Sequence, residues 1–300
     1  MKNITFSEYL KNTFGEKVYK ISLEISGLTC PNRDGTCGTG GCIFCLNGSG
    51  DFTEKIVLGD TAENIRSSVY SAIEAGKNQT LKKAPDCKKF IAYFQSFTNT
   101  YAASEKLAPI FSEAINHKDV VALSIGTRPD CLPDDIIAML SELNKTKPVF
   151  VELGLQTSND STAKVINRGY DSIVYENSVK KLKAEGINVV THLIAGLPGE
   201  SFRDYENSVN FAVKCGTDGI KIQPLNVLKN TPLANDESFS DYRPLGFEEY
   251  VEIVSRLVKL LPDNIVIHRL TGDGPRSALL APLWCLDKKR VLNAIAKATK

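Results

Sequence analysis

Three hundred residues, 42% apolar and 24% charged, suffice for one large α/β domain, or one domain with an appendage, of ordinary globular composition. The 36 basic and 35 acidic side chains leave a net charge of +1, which excludes global steering toward nucleic acid; such binding needs a local patch. No apolar run approaches the ~20 residues of a membrane span, and no targeting segment is visible after Met1, so a cytoplasmic location with reduced thiols is expected.

Residues 17–25 (KVYKISLEI) alternate and predict a first strand. That strand runs into a loop where Cys30, Cys37, Cys42 and Cys45, four of the eight cysteines, fall within residues 30–45. A helix is expected over about 60–75, capped by Asp60 or Thr61, with Ile65, Val69 and Ile73 on one face and Gly76 as its stop. The run 90–94 (FIAYF) reads as a buried second strand, and Ser104 as the cap of a helix bearing Leu107, Ile110, Phe111 and Ala114. Residues 119–125 form a third strand, and Pro133 opens a helix carrying Ile136, Ile137, Leu140 and Leu143. A fourth strand at 148–153 leads through polar turns to a helix over about 172–185 ended by Gly186. A fifth strand (187–194) precedes a helix capped by Ser201 and ended by Gly216, and a sixth strand covers 219–225.

Six strand–helix cycles spaced ~30–40 residues apart argue for parallel strands with helical crossovers. We expect an α/β fold, a partial (β/α)6 TIM-like barrel over residues 1–235, with a doubly wound sheet as the competing architecture. Residues 236–300 are expected to form a small α/β extension: an amphipathic helix (roughly 246–261), a strand at 264–268, the loop Arg269 to Pro275 and a final helix from Asp287 with Val291, Leu292 and Ile295. Polar, Gly-containing loops follow the first five strands, and in parallel architectures these ends converge on one rim, where active sites sit.

The cysteine loop carries the clearest chemistry. Gly38, Gly40 and Gly41 admit positive φ, so the backbone can close around something small. Clustered thiolates suit a soft metal or an iron–sulfur cluster, and we read a [4Fe–4S] site with three protein ligands. Structural zinc held by all four cysteines is the alternative, although zinc ribbons usually show two short-spaced pairs and only Cys42-x2-Cys45 has that spacing here.

A cysteine loop after the first strand of such a barrel, with Phe44 just before the last cysteine, resembles the radical S-adenosylmethionine (SAM) superfamily. The long first gap, eleven residues between Cys30 and Cys42, departs from that superfamily's usual C-x3-C-x2-C. Together with CPNRDG, GGCIFC, YFQSFTNTY, GTRPD, ELGLQT, GLPGE, HRLTGDGP and LAPLW, it is similar to the YtqA/YhcC-like family, related to the radical SAM part of the Elongator catalytic subunit. The resemblance implies Cys30, Cys42 and Cys45 as cluster ligands, with Cys37 an incidental thiol because a fourth ligand would close the iron that SAM chelates. It implies a 5′-deoxyadenosyl radical that abstracts hydrogen from substrate. By position it places Gln95, Ser96 and Phe97 at the methionyl amino group, and Glu152 and Gln156 at the ribose or carboxylate. Leu193 and Gly196, in the stretch to Glu200, and Gln223 and Leu225 would line the adenine. For each of these the bland alternative is a turn or helix-capping duty.

Substrate-facing candidates are Arg128 and Asp130, which either hold a charged substrate group or pair with each other. Tyr101 and His192 are candidates to orient protons, although a lone strand His is more often a satisfied core residue. Lys77, Lys82, Lys83, Lys88 and Lys89, with Arg168, Arg269 and Arg276, form either a solvated face or a grip on phosphates. The resemblance further implies tRNA as partner, an electron donor of the reductase, flavodoxin or ferredoxin kind, and conversion of 5-carboxymethylaminomethyluridine at the wobble position to 5-aminomethyluridine, with Arg128 holding the carboxylate. With no room for an acetyltransferase domain, acetyl-CoA-dependent chemistry is not expected. The rival readings are a radical SAM enzyme of a small metabolite and a non-catalytic zinc or iron–sulfur module.

Overall fold

The computed structural model describes residues 3–46, 53–57, 59, 61–272 and 274–300. In chain order the elements are α1 (Phe6–Phe14), β1 (Val18–Ile25), β2 (Glu54–Ile56), α2 (Ala62–Leu81), β3 (Lys89–Phe94), α3 (Ser104–Asn116), β4 (Val120–Thr127) and α4 (Asp134–Thr146). There follow β5 (Val149–Gln156), α5 (Asp160–Val165), α6 (Ser172–Ala184), β6 (Asn188–Ala195), α7 (Phe202–Cys215), β7 (Gly219–Pro224), β8 (Val227–Leu228) and α8 (Pro232–Asn235). The chain ends with α9 (Phe247–Leu260), β9 (Val266–Arg269), β10 (Leu279–Ala281) and α10 (Lys288–Ala298).

Eight strands make one parallel sheet in the order β2-β1-β3-β4-β5-β6-β7-β9. Six of them are the expected units; β2 and β9 extend the two edges. Among the described residues these edges do not pair with each other, so the sheet stays open at a seam. β8 and β10 form a separate antiparallel pair.

Strand alternation sorts side chains into two layers. Val149, Val151, Leu153 and Leu155 of β5 face the outer helices, in the same core as Ile73, Phe111, Leu140, Val179, Val209 and Leu257. Each such buried aliphatic contributes about 1.5–3 kcal/mol relative to exposure. The intervening residues face inward. There Ile91, Ala122, Phe150, Val190 and Val266 pack on Phe6 and Leu10, so α1 plugs the N-terminal end of the concave face. A capping box starts that helix: Thr5 accepts from the Glu8 amide while Glu8 accepts from the Thr5 amide.

Several expectations change. Gly76 does not stop α2, which continues to Leu81. A Cβ there would lie 2.3 Å from Ile21 Cγ2, so this glycine lets the helix approach β1 closely. Ser104 is the first residue of α3 and provides no cap; Ala103 precedes the helix without a side-chain hydrogen bond. Thr61 caps α2 by accepting from the Asn64 amide, whereas Asp60 and Asp273 lie outside the described residues. α1, α5 and the short strands β2, β8 and β10 were not anticipated. Leu292, expected on the packed face of α10, is exposed.

Gly76→Ala gains about 1 kcal/mol of helix propensity but overpacks the contact with Ile21 at a cost of about 1–3 kcal/mol. Urea unfolding is expected to show net destabilisation, and a smaller cost for Gly76→Ala in an Ile21→Ala background, where the clashing methyl is gone.

Candidate cluster site and buried charge centre

The cysteine loop leaves the C-terminal end of β1 and is held by the β5–α6 connection. Asn32 Nδ2 donates to the Asn167 carbonyl at 2.5 Å, and Asn167 Nδ2 donates back to the carbonyls of Gly41 at 2.8 Å and Thr39 at 3.3 Å. The Ile43 amide donates to Ile166 at 3.1 Å, and the Leu233 amide to Ile43 at 2.9 Å. Ile43 is thereby buried among Ile166, Ile194, Leu197, Leu225 and Leu233. Arg33 closes the far end, donating to the Cys45 carbonyl at 2.5 Å. Gly40 and Gly41 have φ of 78° and 76°, as the sequence predicts for a tight loop.

Cys30, Cys37, Cys42 and Cys45 are all free thiols. Burial, then the neighbouring Cys45, pushes the Cys42 thiol up to about 12. Iron binding there must displace a proton, as for any thiol ligand. Cys37 Sγ lies 3.5 Å from Arg128 Nη2, which donates to it. Beside Cys42, the buried Asn32 Oδ1 has no hydrogen-bond partner among the described residues. Soft donors on one folded loop, with an orphaned acceptor next to them, fit a cluster with a further group bound at it.

The rim residues converge around this loop. Tyr101 Oη is 2.7 Å from Thr36 Oγ1, tying the loop after β3 to the cysteine loop. Gln95 Nε2 donates to Thr53 Oγ1 at 3.2 Å, and Ser96 is buried. Phe97 and Gln156 take the left-handed conformation, φ 56° and 57°, which is rare without a glycine and concentrates at functional sites. Gln156 Oε1 accepts from Tyr170 Oη at 3.4 Å. The Gly196 amide donates to Tyr205 Oη at 3.1 Å, and its carbonyl accepts from Tyr242 at 2.7 Å. Gln223 packs against Gly272, and Leu225 joins the cluster around Ile43.

Other candidates have different surroundings. Leu193, paired with Gln156, turns its side chain into the helix-facing core. Arg128 is used within the protein: Nε and Nη2 donate to the Asp130 carboxylate at 2.9 and 2.6 Å, and Nη1 to the Arg168 carbonyl at 2.9 Å. With Arg168 it sandwiches Tyr170, at 4.7 and 4.6 Å from the ring centre. Of the two readings for Arg128 and Asp130, mutual pairing is the one realised. Arg168 is itself buried, donating to the Leu155, Thr157 and Tyr170 carbonyls.

Glu152 is not presented to the rim. It sits midway along β5, fully buried inside the barrel, where Lys20 Nζ (2.6 Å), His192 Nε2 (2.7 Å), Ser124 Oγ (2.5 Å) and Lys221 Nζ surround its carboxylate. Both ammonium groups also lie over the Tyr93 ring, at 4.2 and 4.8 Å. Burial opposes this charge, but the two lysines hold Glu152 well below the usual carboxylate range. Desolvation lowers both lysines, Lys221 strongly. His192 is lowered to about 4, first by burial and then by Lys221, so it is neutral at physiological pH. One ionised carboxylate therefore faces two lysines whose charge burial opposes, that of Lys221 most strongly.

The lysine stretch does not reach this rim. It precedes β3, at the N-terminal end of the sheet, about 20 Å along the strand from the cysteine side. Lys77 pairs with Glu74 and Asp119, each at 2.6 Å, and Lys89 with Glu16 at 3.2 Å.

Comparison with known proteins agrees with this geometry. The profile of the radical SAM superfamily matches residues 33–212. The chain belongs to that superfamily. The radical SAM C-terminal domain profile matches residues 217–300. Relatives include YtqA of Bacillus subtilis, 40% identical over 98% of this chain and 88% of its own, and YhcC of Escherichia coli K12, 35% identical over 94% and 87%. A tRNA uridine(34) acetyltransferase of Methanocaldococcus jannaschii is 28% identical over 60% of this chain and 33% of its own. Among solved structures, Elp3 of Methanocaldococcus infernus superposes with a TM-score of 0.66 at 18% identity, over 93% of this chain and 63% of that one.

Radical SAM proteins bind a [4Fe–4S] cluster and SAM and draw an electron from a donor. In this member, sequence reasoning missed Lys20, Lys221, Ser124, Tyr93 and the Asn32–Asn167 clasp. A signal was present for the lysines: each interrupts an apolar strand at an inward position (KVYKISL, GIKIQPL). No helix among the described residues is long and apolar enough to cross a membrane.

Because His192 titrates near 6.5 when unfolded and about 4 when folded, the unfolded chain binds more protons between those values. Stability is therefore expected to fall as pH drops from about 6.5 toward 4, by up to about 1.4 kcal/mol per pH unit for this group. His117, also lowered by burial, adds to the slope. Denaturant unfolding of His192→Gln over that window is expected to show a shallower dependence than the wild type.

Proposed function

We propose that this radical SAM enzyme modifies tRNA at the wobble uridine, converting 5-carboxymethylaminomethyluridine to 5-aminomethyluridine. The observation that carries the reading is the 28% identity, over 60% of this chain, to an enzyme named for uridine 34 of tRNA, together with a fold shared with Elp3. When bound, the cluster and SAM supply one-electron cleavage of a sulfonium and a hydrogen-abstracting radical. Cys30, Cys42 and Cys45 would hold the cluster, and Cys37, turned to Arg128, would leave one iron open.

The remaining roles belong to the chain. Tyr101 and Thr36 brace the cysteine loop against the β3 loop, fixing the loop that would hold the cluster relative to the rim. Phe97 and Gln156, held in the left-handed region, present the rim backbone at fixed angles. α1 closes the bottom of the barrel, which shields reactive species from water entering at that end. His192 is neutral and bonded to Glu152, so it orients that carboxylate and does not donate a proton to substrate at neutral pH. A flavodoxin, ferredoxin or dedicated reductase would supply the electron, in the cytoplasm.

Nucleoside mass spectrometry of tRNA from a strain lacking the gene is the test, with complementation by wild type or Cys42→Ala. The reading expects 5-carboxymethylaminomethyluridine to accumulate and its aminomethyl descendants to disappear, with rescue by wild type alone. An unchanged nucleoside profile, once redundant enzymes are removed, would overturn it in favour of a small-metabolite substrate.

A further inference from the structure

The C-terminal extension presents two bare leucines beside the cysteine loop. Leu283 is 62% exposed and Leu280 44%. Strand alternation accounts for Leu280: its neighbour Leu279 pairs with Leu228 and is buried with it and Cys285, so Leu280 turns to the other face. Leu46 packs with that buried trio. It directly follows Cys45, itself exposed and one of the three cysteines assigned to the cluster. The β8–β10 pair thus has the end of the cysteine loop against its buried side and an apolar outer side open to contact.

The flanking charge is one-sided. Residues 226–231 and 274–291 carry five basic side chains, Lys229, Arg276, Lys288, Lys289 and Arg290, against the single acid Asp287, in a chain otherwise balanced. All five are exposed. The Lys229 amide donates to the Ala278 carbonyl at 2.8 Å, which sets Lys229 beside the start of β10. Lys288, Lys289 and Arg290 form the first turn of α10, which has no acidic residue there. Cations at that end oppose the helix dipole, so helix stability does not account for the run. Basic groups around an apolar centre suit an acidic protein: charge steers the encounter, and the leucines lose water on contact. Single-stranded RNA instead uses aromatic platforms, and here the exposed apolar groups are leucines. Among the described residues β8 and β10 pair only with each other, which leaves strand edges for a polypeptide.

We infer that this surface docks the protein that reduces the cluster, a small acidic electron carrier of the flavodoxin or ferredoxin kind, seated on Leu280 and Leu283 and steered by the surrounding cations. Radical SAM chemistry draws its electron from outside the chain. Electron transfer slows steeply with distance, so the donor must sit close to a cluster ligand, and beside this surface the cysteine loop reaches the exterior at Cys45. With a flavodoxin, one electron leaves the flavin hydroquinone anion and enters the oxidised cluster; no bond forms or breaks and no proton is transferred. The inference rests on membership of the superfamily and on the cysteine assignment, and it is independent of the uridine reading.

The test uses the anaerobically reconstituted holoenzyme and the variants Leu283→Glu and Lys289→Glu, singly and combined. Both positions are exposed, so circular dichroism and iron content are expected to match the wild type. Photoreduced flavodoxin is the probe donor, and bleaching of the cluster is followed by stopped-flow absorbance. Flavodoxin is expected to reduce the double variant about tenfold more slowly than the wild type, while dithionite, which needs no docking surface, reduces both within about threefold of each other. The wild-type rate with flavodoxin is expected to fall as salt rises, and that of Lys289→Glu to fall less. Equal flavodoxin rates in wild type and double variant, whatever their size, would overturn the inference. So would an equal loss with dithionite, which marks damage to the cysteine loop. Loss of binding to total tRNA by the double variant, with its flavodoxin rate unchanged, would overturn it in favour of an RNA surface.

Discussion

Glu152 is a carboxylate sealed inside a parallel sheet, and that constraint reaches across the barrel. Burying an unpaired carboxylate costs several kcal/mol even after relaxation, so the strands around β5 must supply counter-charge and hydrogen bonds. They do so at equivalent inward positions: Lys20 on β1, Ser124 on β4, His192 on β6 and Lys221 on β7. Five strands are thereby bound to one atom pair in their middle layer. Above that layer the strand ends form the rim, and below it α1 fills the bottom with Phe6 and Leu10.

The cysteine loop depends on a different device. A glycine-rich segment of this length has little core of its own, and it borrows order from the β5–α6 connection through Asn32, Asn167 and the Ile43–Ile166 amide contact. The residues that position the thiols therefore lie more than a hundred positions away in sequence. Behind them the Arg128–Tyr170–Arg168 stack, closed by Asp130 and backbone carbonyls, forms a rigid support. Reactive chemistry on a loop requires such backing, since small displacements of an oriented group lose large factors in rate.

Much of the fold was legible because the apolar runs of parallel strands and the helical faces between them are local signals. β9 was visible as a short apolar stretch at 264–268, and its place beside β7 was not, because pairing across a sheet edge leaves no local mark. α1 was missed although Thr5 and Glu8 spell a capping box at the start of a helix that carries Phe6 and Leu10. At the site, the cysteines and rim loops announced themselves by composition. Glu152 and Leu193 did not fit their positional assignments because alternation decides which face each side chain takes: Glu152 points inward below the rim, Leu193 toward the helices. The lysine stretch was readable in principle, since any segment that precedes a parallel strand lies at the opposite end of the sheet from the one that follows it.

The account stands on three thiolates holding a cluster whose remaining iron is open to SAM. Anaerobic reconstitution of wild type and Cys37→Ala, with iron counting and electron paramagnetic resonance of the reduced protein before and after adding SAM, addresses this directly. The account predicts about four irons per chain in both proteins and a cluster signal that changes on SAM addition. Loss of the cluster in Cys37→Ala, or a wild-type signal indifferent to SAM, would contradict it.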